Sequence, residues 1–377
     1  MTDSLMLFPP VIRFAWGARA ETAGRLADLA GGEIPPTLLV CSASVRGSGL
    51  LDGLLVDLGD ALAGEYVGVS HDPPLSEVDA IATAARASGA AAVLAIGGGS
   101  VIDAAKAAAA IAPSGLPCAE FYHGSRLLPV DGLLFAALPT PAGTGAEITK
   151  NSVLSDPEAD TKKSLRGPRM VPDLAIVDPE LTVSMGPELT AASGLDALTQ
   201  AIESYISLNT HATSQALALG AVRLLTRWLP VAFADGANRE ARTHVAEGSL
   251  LSGMAFGQSG LGAVHGLAHP LGHLLDLSHG FTCAVLLPHL LRWNAPVREA
   301  ELDELAAATG HPDGAAFIEA VAEMVAAFGI PAGLAQLDLT EHAPFVVANC
   351  RSGSMKANPR PMSDDDVIAM LQQLART

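Results

Sequence analysis

Ala90–Ala112 reads AAAVLAIGGGSVIDAAKAAAAIA. The apolar run Ala90–Ile96 predicts a buried strand, Gly97-Gly98-Gly99 a tight turn, and the alanine-rich Ser100–Ala112 a helix. Glycines at a strand-to-helix junction let the backbone approach a pyrophosphate. The free N–H groups and the positive dipole end of the helix then hold the anion. The string departs from G-x-G-x-x-G. A glycine turn with Ser100 as N-cap and Asp103 closing a capping box accounts for the same residues, and the two readings are compatible.

Outward from this unit the pattern repeats. Upstream are a helix around Glu21–Ala30, strands at Leu38–Cys41 and Tyr66–Ser70, and a helix at Leu75–Ala87. Downstream are strands at Leu133–Leu138 and Leu174–Val177. Short apolar runs bounded by glycine and alternating with helices predict an open parallel sheet covered on both faces. Residues 1–185 therefore read as an α/β, Rossmann-like dinucleotide-binding domain. A second loop, PTPAGTGAEIT at 139–149, also follows a strand, and two such loops at strand ends of one sheet point to a dinucleotide. From Leu189 the patterns are helical, Thr213–Leu229 and Ala315–Phe328 among them, so residues 186–377 read as an all-α metal and substrate domain. Asp364–Asp366 follow Ser363 and suit the first turn of a helix.

Composition narrows the partners. With 22 Lys+Arg against 40 Asp+Glu the formal charge is −18, which argues against nucleic acid or an anionic membrane surface as partner. Cys41, Cys118, Cys283 and Cys350 form no C-x-x-C pair and read as reduced thiols of a cytoplasmic protein. MTDSLMLFPPVIRF at the start lacks the pattern of a leader, and no run reads as the roughly eighteen apolar residues of a membrane span.

Four of the eleven histidines fall within VHGLAHPLGHLLDLSHGFTCAVLL, 264–287. His265, His269 and His273 recur every four residues, sharing one face of a helix, with His279 just beyond and Pro270 inside. Such a stack holds a divalent metal, relays a proton, or both; core or cap histidines are the plainer alternative. In SGLDALTQ, 193–200, Ser193 and Asp196 read as a capping box. Alternatively Asp196 and Gln200 face the histidines and complete a four-ligand site with His265 and His279.

Taken together, GGGSVIDAAKA (97–107), PTPAGTGAEIT (139–149), PDLAIVDPELT (172–182), GLDALTQAIESYIS (194–207), HGLAHPLGHLLDLSHG (265–280) and NPRP (358–361) resemble, in order, the motifs of the iron-containing (group III) alcohol dehydrogenases. That resemblance implies a dehydroquinate synthase-like architecture, with NAD or NADP and a divalent metal (Fe2+ or Zn2+) in the cleft between two domains. It implies cofactor contacts at Ser42, Asp72, Gly97, Gly98, Gly99, Ser100, Asp103, Thr140, Thr144, Thr149 and Lys162. The family's metal ligands map onto Asp196, Gln200, His265 and His279, with glutamine in place of one histidine. His265 and His269 become the catalytic candidates, His269 for proton transfer. His273 stands where a small residue is expected, and either supplies a replacement imidazole or packs.

The activity implied is hydride transfer between NAD(P)H and a small alcohol or aldehyde, by a homodimer or higher homo-oligomer. The segment KKSLRGP, 162–168, resembles that of maleylacetate reductases, metal-free relatives acting on an anionic carbonyl compound, with Arg166 as carboxylate partner or solvated loop residue. A sugar-phosphate cyclase of the dehydroquinate synthase type would need a cluster of Lys and Arg that this chain lacks. A non-catalytic binding protein would be favoured by Gln200. Past the Leu38–Cys41 strand, where NAD-preferring relatives carry an aspartate, this chain reads Cys41-Ser42-Ala43-Ser44, which leaves NADP open.

Overall fold

The computed structural model describes residues 5–159 and 161–376, so Met1–Ser4 of the stretch read for a leader lie outside it. The chain packs as two compact units, Leu5–Val183 and one beginning at Ser184.

The first unit is built on eight strands: β1 (Val11–Phe14), β2 (Thr37–Cys41), β3 (Leu62–Val67), β4 (Ala92–Gly97), β5 (Leu134–Pro139), β6 (Asn151–Asp156), β7 (Thr161–Arg166) and β8 (Leu174–Val177). Six form one sheet in the order β1-β8-β5-β4-β2-β3, with every pairing parallel. β2, β4 and β8 are buried along their whole length. Their runs are therefore continuously apolar instead of alternating, as expected of strands covered on both faces. On one face Val40, Val93 and Ala95 pack with the helices Leu75–Ala87 and Gly99–Ile111; on the other Leu39, Leu94 and Ile96 pack with Leu26 and Leu54. From β2 the chain runs out to β3 at the edge and returns to β4 on the opposite side of β2. That reversal is a topological switch point, where strand ends open a crevice.

Four local expectations need correction. β3 ends at Val67 instead of reaching Ser70, because Gly68 turns into the left-handed region at φ 93°. The edge strand β1 and the antiparallel hairpin β6–β7 were not anticipated from sequence. Arg166 consequently ends a strand, exposed, and is not a loop residue. Finally, Ser100 and Asp103 form no capping box. Gly98 is the N-cap without a side-chain cap, and Asp103 instead accepts from the Val153 amide of the hairpin at 2.9 Å.

The second unit is helical, with Pro187–Ile206, Ala212–Ala234, Arg239–Ser259, Ala263–Leu275 and His279–Asn294 around one apolar core. Ser193 lies inside the first of these, whose N-cap is Gly186, and its hydroxyl donates to the Leu189 carbonyl at 2.7 Å. The expected capping box with Asp196 is therefore absent, and Asp196 is left for other work. A Cβ at Gly280 would sit 2.3 Å from the Ala192 carbonyl oxygen, so glycine permits the close approach that brings the start of His279–Asn294 onto Pro187–Ile206. Ser363 and Asp366 do cap a helix reciprocally. Among the described residues one helix, Ala212–Ala234, is long and apolar enough to cross a membrane, contrary to the expectation that no run has that character. Its Ala218, Val222, Leu225 and Leu229 are buried in the core of this unit.

Candidate active site

The two loops of the first unit are packed on each other. The Thr140 amide donates to the Gly97 carbonyl at 2.9 Å. A Cβ at Gly99 would meet the Thr144 side chain at 3.1 Å, and one at Gly98 would meet Pro141 at 3.5 Å. Gly98, Gly99 and Ser100 are half-buried at the start of their helix, leaving its first amides available to an anion. The ammonium of Lys106, buried beneath, donates to the carbonyls of Ala146 (2.6 Å), Thr149 (2.9 Å) and Asn151 (2.7 Å). It ties the second loop to the helix of the first. Thr149 thus contributes a carbonyl to scaffolding. Burial pulls the Lys106 pKa down to about 8, against the opposing charges of Asp103 and Glu147. Burial likewise lifts Asp103 to about 6 and Glu147 to about 7.

The other cofactor candidates lie in the same unit. Ser42 follows β2 and caps a short helix, its hydroxyl accepting from the Val45 amide at 3.3 Å. Asp72 and Lys162, distant in sequence, are brought together as an ion pair at 2.7 Å. Thr140 donates its hydroxyl to the Leu181 carbonyl at 2.9 Å.

In the second unit, Asp196 lies on Pro187–Ile206, His265 on Ala263–Leu275, and His279 and Cys283 on the first turns of His279–Asn294. Their donor atoms all lie within 4.8 Å of one another, the one such group of His, Cys, Asp or Glu among the described residues. His265 Nε2 is 3.3 Å and His279 Nε2 3.7 Å from Asp196 Oδ1; Cys283 Sγ is 3.9 Å and 3.6 Å from the same two nitrogens.

The set fits a metal ion on two observations. Asp196 Oδ1 is buried without a well-aligned hydrogen bond, and such an orphan is costly unless a cation or donor answers it. Moreover His265 Nδ1 is committed to Glu203 Oε2 at 2.6 Å. That leaves Nε2 facing Asp196 Oδ1 at 3.3 Å, a gap that a proton on the ring or a metal ion fills. Carboxylate–histidine–metal relays are built this way. Glu203 is itself anchored, its Oε1 accepting from the Val264 amide at 2.7 Å. Beside it Asn358, from the NPRP motif, accepts from the Ala263 amide at 3.1 Å and is locked to Asn294.

Charges in the cluster are strongly coupled. Burial opposes ionisation of Asp196, but the proximity of His279 and His265 more than offsets it and its pKa falls. Burial also opposes protonation of His265, and Cys283, Glu203 and Asp196 together push its pKa well above the usual histidine range. For the Cys283 thiol burial works upward, and His279 and His265 outweigh it, lowering the pKa.

Gln200 is buried one helical turn after Asp196, and its Oε1 accepts from Ser252 Oγ at 3.3 Å. His269 is exposed, with its ring stacked on that of His279 at 5.2 Å. His273 packs against Phe345 at 6.0 Å and offers no imidazole to the cluster. Three residues escaped the sequence reading. Glu203 continues the face of Asp196 and Gln200 at i+7, and Cys283 stands four after His279, so helical spacing signalled both. Lys106 carried no local signal.

Comparisons with known proteins cover the chain. The profile of the family described as "Iron-containing alcohol dehydrogenase" matches residues 9–179, and that of "Fe-containing alcohol dehydrogenase family, C-terminal" matches residues 190–375. Alcohol dehydrogenase 4 of Saccharomyces cerevisiae is 31% identical over 97% of both chains. Long-chain-alcohol dehydrogenase 1 of Geobacillus thermodenitrificans is 38% identical over 77% of this chain and 73% of that one. Among solved structures, sulfoacetaldehyde reductase from Bifidobacterium kashiwanohense, crystallised with NAD+, superposes over the whole of both chains with a TM-score of 0.95 at 31% identity.

Proposed function

The chain belongs to the iron-containing alcohol dehydrogenases, and on that premise we propose how its residues divide the work of hydride transfer between NAD(P) and a small alcohol or aldehyde. The backbone amides of Gly98, Gly99 and Ser100 hold the pyrophosphate, supported by Thr140 and Thr144 on the loop packed against them. Gly97, Asp103 and Thr149 shape that cradle. Ser42, Asp72 and Lys162 supply polar contacts to the rest of the dinucleotide.

Asp196, His265 and His279 hold a divalent metal, with Gln200 one turn after Asp196 on the same helix. When bound, that ion acts as a Lewis acid on the substrate oxygen. Glu203 fixes the tautomer and orientation of His265. His269, exposed beside buried His265 and stacked on His279, carries the proton between solvent and the alcohol oxygen. In the same reading the enzyme is a homodimer or larger homo-oligomer, supported by the exposure of Leu127 and Val130.

One observation carries the reading: the Nε2 of a Glu203-bound His265 faces an orphaned Asp196 oxygen at 3.3 Å. The test of the proton role is His269→Ala. Turnover in NADH oxidation with a small aldehyde should fall by about 100-fold or more, while NADH affinity, read by fluorescence titration, stays within about two-fold. Equal losses in both would remove His269 from the chemistry.

A further inference from the structure

The glutamine at position 200 leaves the family's ligand pattern one donor short, and the cluster supplies a replacement. We propose that Cys283 is the fourth metal ligand of this enzyme, its thiolate replacing the missing imidazole, and that the resulting Asp, His, His, Cys site selects zinc over iron(II). The inference rests on the metal-dependent reading given above.

Geometry carries it. A tetrahedral zinc site with Zn–N and Zn–O near 2.1 Å and Zn–S near 2.3 Å has N···O edges of about 3.4 Å and N···S edges of about 3.6 Å. The N···O separations from Asp196 are 3.3 and 3.7 Å, and the N···S separations from Cys283 are 3.9 and 3.6 Å. These four edges match such a site to within about 0.3 Å, and all four donors, from three helices, lie within 4.8 Å of one another. The Oε1 of Gln200 is engaged by Ser252 Oγ at 3.3 Å. Cys283 is buried and a free thiol. Its Sγ faces the Nε2 atoms of His265 and His279, with an Asp196 carboxylate oxygen within 4.8 Å.

The chemistry follows from the donor set. Exchanging an imidazole for a thiolate adds a soft, anionic ligand, and mixed nitrogen and sulfur tetrahedra favour zinc over iron(II).

Cobalt(II) and zinc are the probes. The full-length protein, stripped of metal and loaded with Co2+, should bind one ion per chain and show a thiolate-to-cobalt charge-transfer band in the near ultraviolet. Cys283→Ser should abolish that band and weaken binding at least about 100-fold. Zinc X-ray absorption of the wild type needs no variant and should place one sulfur at about 2.3 Å. Competition between Zn2+ and Fe2+ should favour zinc in the wild type, and by a smaller factor in a Cys283→Ser/Gln200→His variant. Stoichiometric cobalt without the charge-transfer band, or zinc without sulfur, overturns the role of Cys283 and leaves the metal-dependent reading standing. Failure to bind either ion overturns both.

Discussion

Glu203 is outside the cluster of candidate ligand atoms, yet both of its oxygens are committed, one to the Val264 amide and one to His265 Nδ1. Replacing it with glutamine puts an amide donor where one of those acceptors stood. Glu203→Gln should therefore lower zinc or cobalt affinity about 10- to 100-fold, read by chelator competition, with helical content unchanged. Unaltered affinity would mean that His265 is positioned by packing alone. The candidate ligands themselves were legible because each belongs to a residue type that binds metals and recurs at helical spacing. The proton of His265 was not: which nitrogen carries it depends on a carboxylate 62 positions away in sequence.

At the scale of elements, the helix Gly99–Ile111 and the loop 139–149 act as one piece because Lys106 links them, with Asp103 and Glu147 buried nearby. This fixes a pH dependence. Glu147 has a folded pKa raised by burial from 4.5 to about 7. Its cost to stability is absent below pH 4.5, grows as pH rises towards 7 and is constant above, reaching about 3 kcal/mol. Lys106, lowered from 10.5 to about 8, adds a cost below pH 8 that is relieved between 8 and 10.5. Glu147→Gln should therefore melt close to wild type at pH 4.5–5 and gain on it steadily up to pH 7, by calorimetry or fluorescence. A difference independent of pH would show that Glu147 is ionised throughout. The strand–glycine–helix sequence announced this element, whereas the lysine beneath the loop looked like any helix residue.

For the molecule as a whole, metal binds the folded chain and not the unfolded one, so its removal must destabilise. Free metal at 100 times its dissociation constant contributes about 2.7 kcal/mol. Chelation should lower the melting temperature reversibly, and the loss should be absent in Asp196→Ala. If chelation leaves melting unchanged, the cluster holds no metal in solution.

The division between sequence and structure follows the range of the forces involved. Continuous apolar runs such as LLVC and VLAI, the glycines of 97–99 and the four-residue histidine spacing are local patterns with local physical causes, and they determined the parallel sheet, the glycine turn into the helix, the helical second unit and the family. The capping boxes at Ser100 and Ser193 also looked local, but Asp103 turned to the hairpin and Ser193 lay inside a longer helix. Only the tertiary structure decided which donors meet. Asp196, His265 and Cys283 come from three helices brought together by close backbone approach at Gly280 and by burial of one apolar core. No periodicity along the chain encodes a distance between such helices, so Cys283, Glu203 and Lys106 gained their partners only when the core was packed.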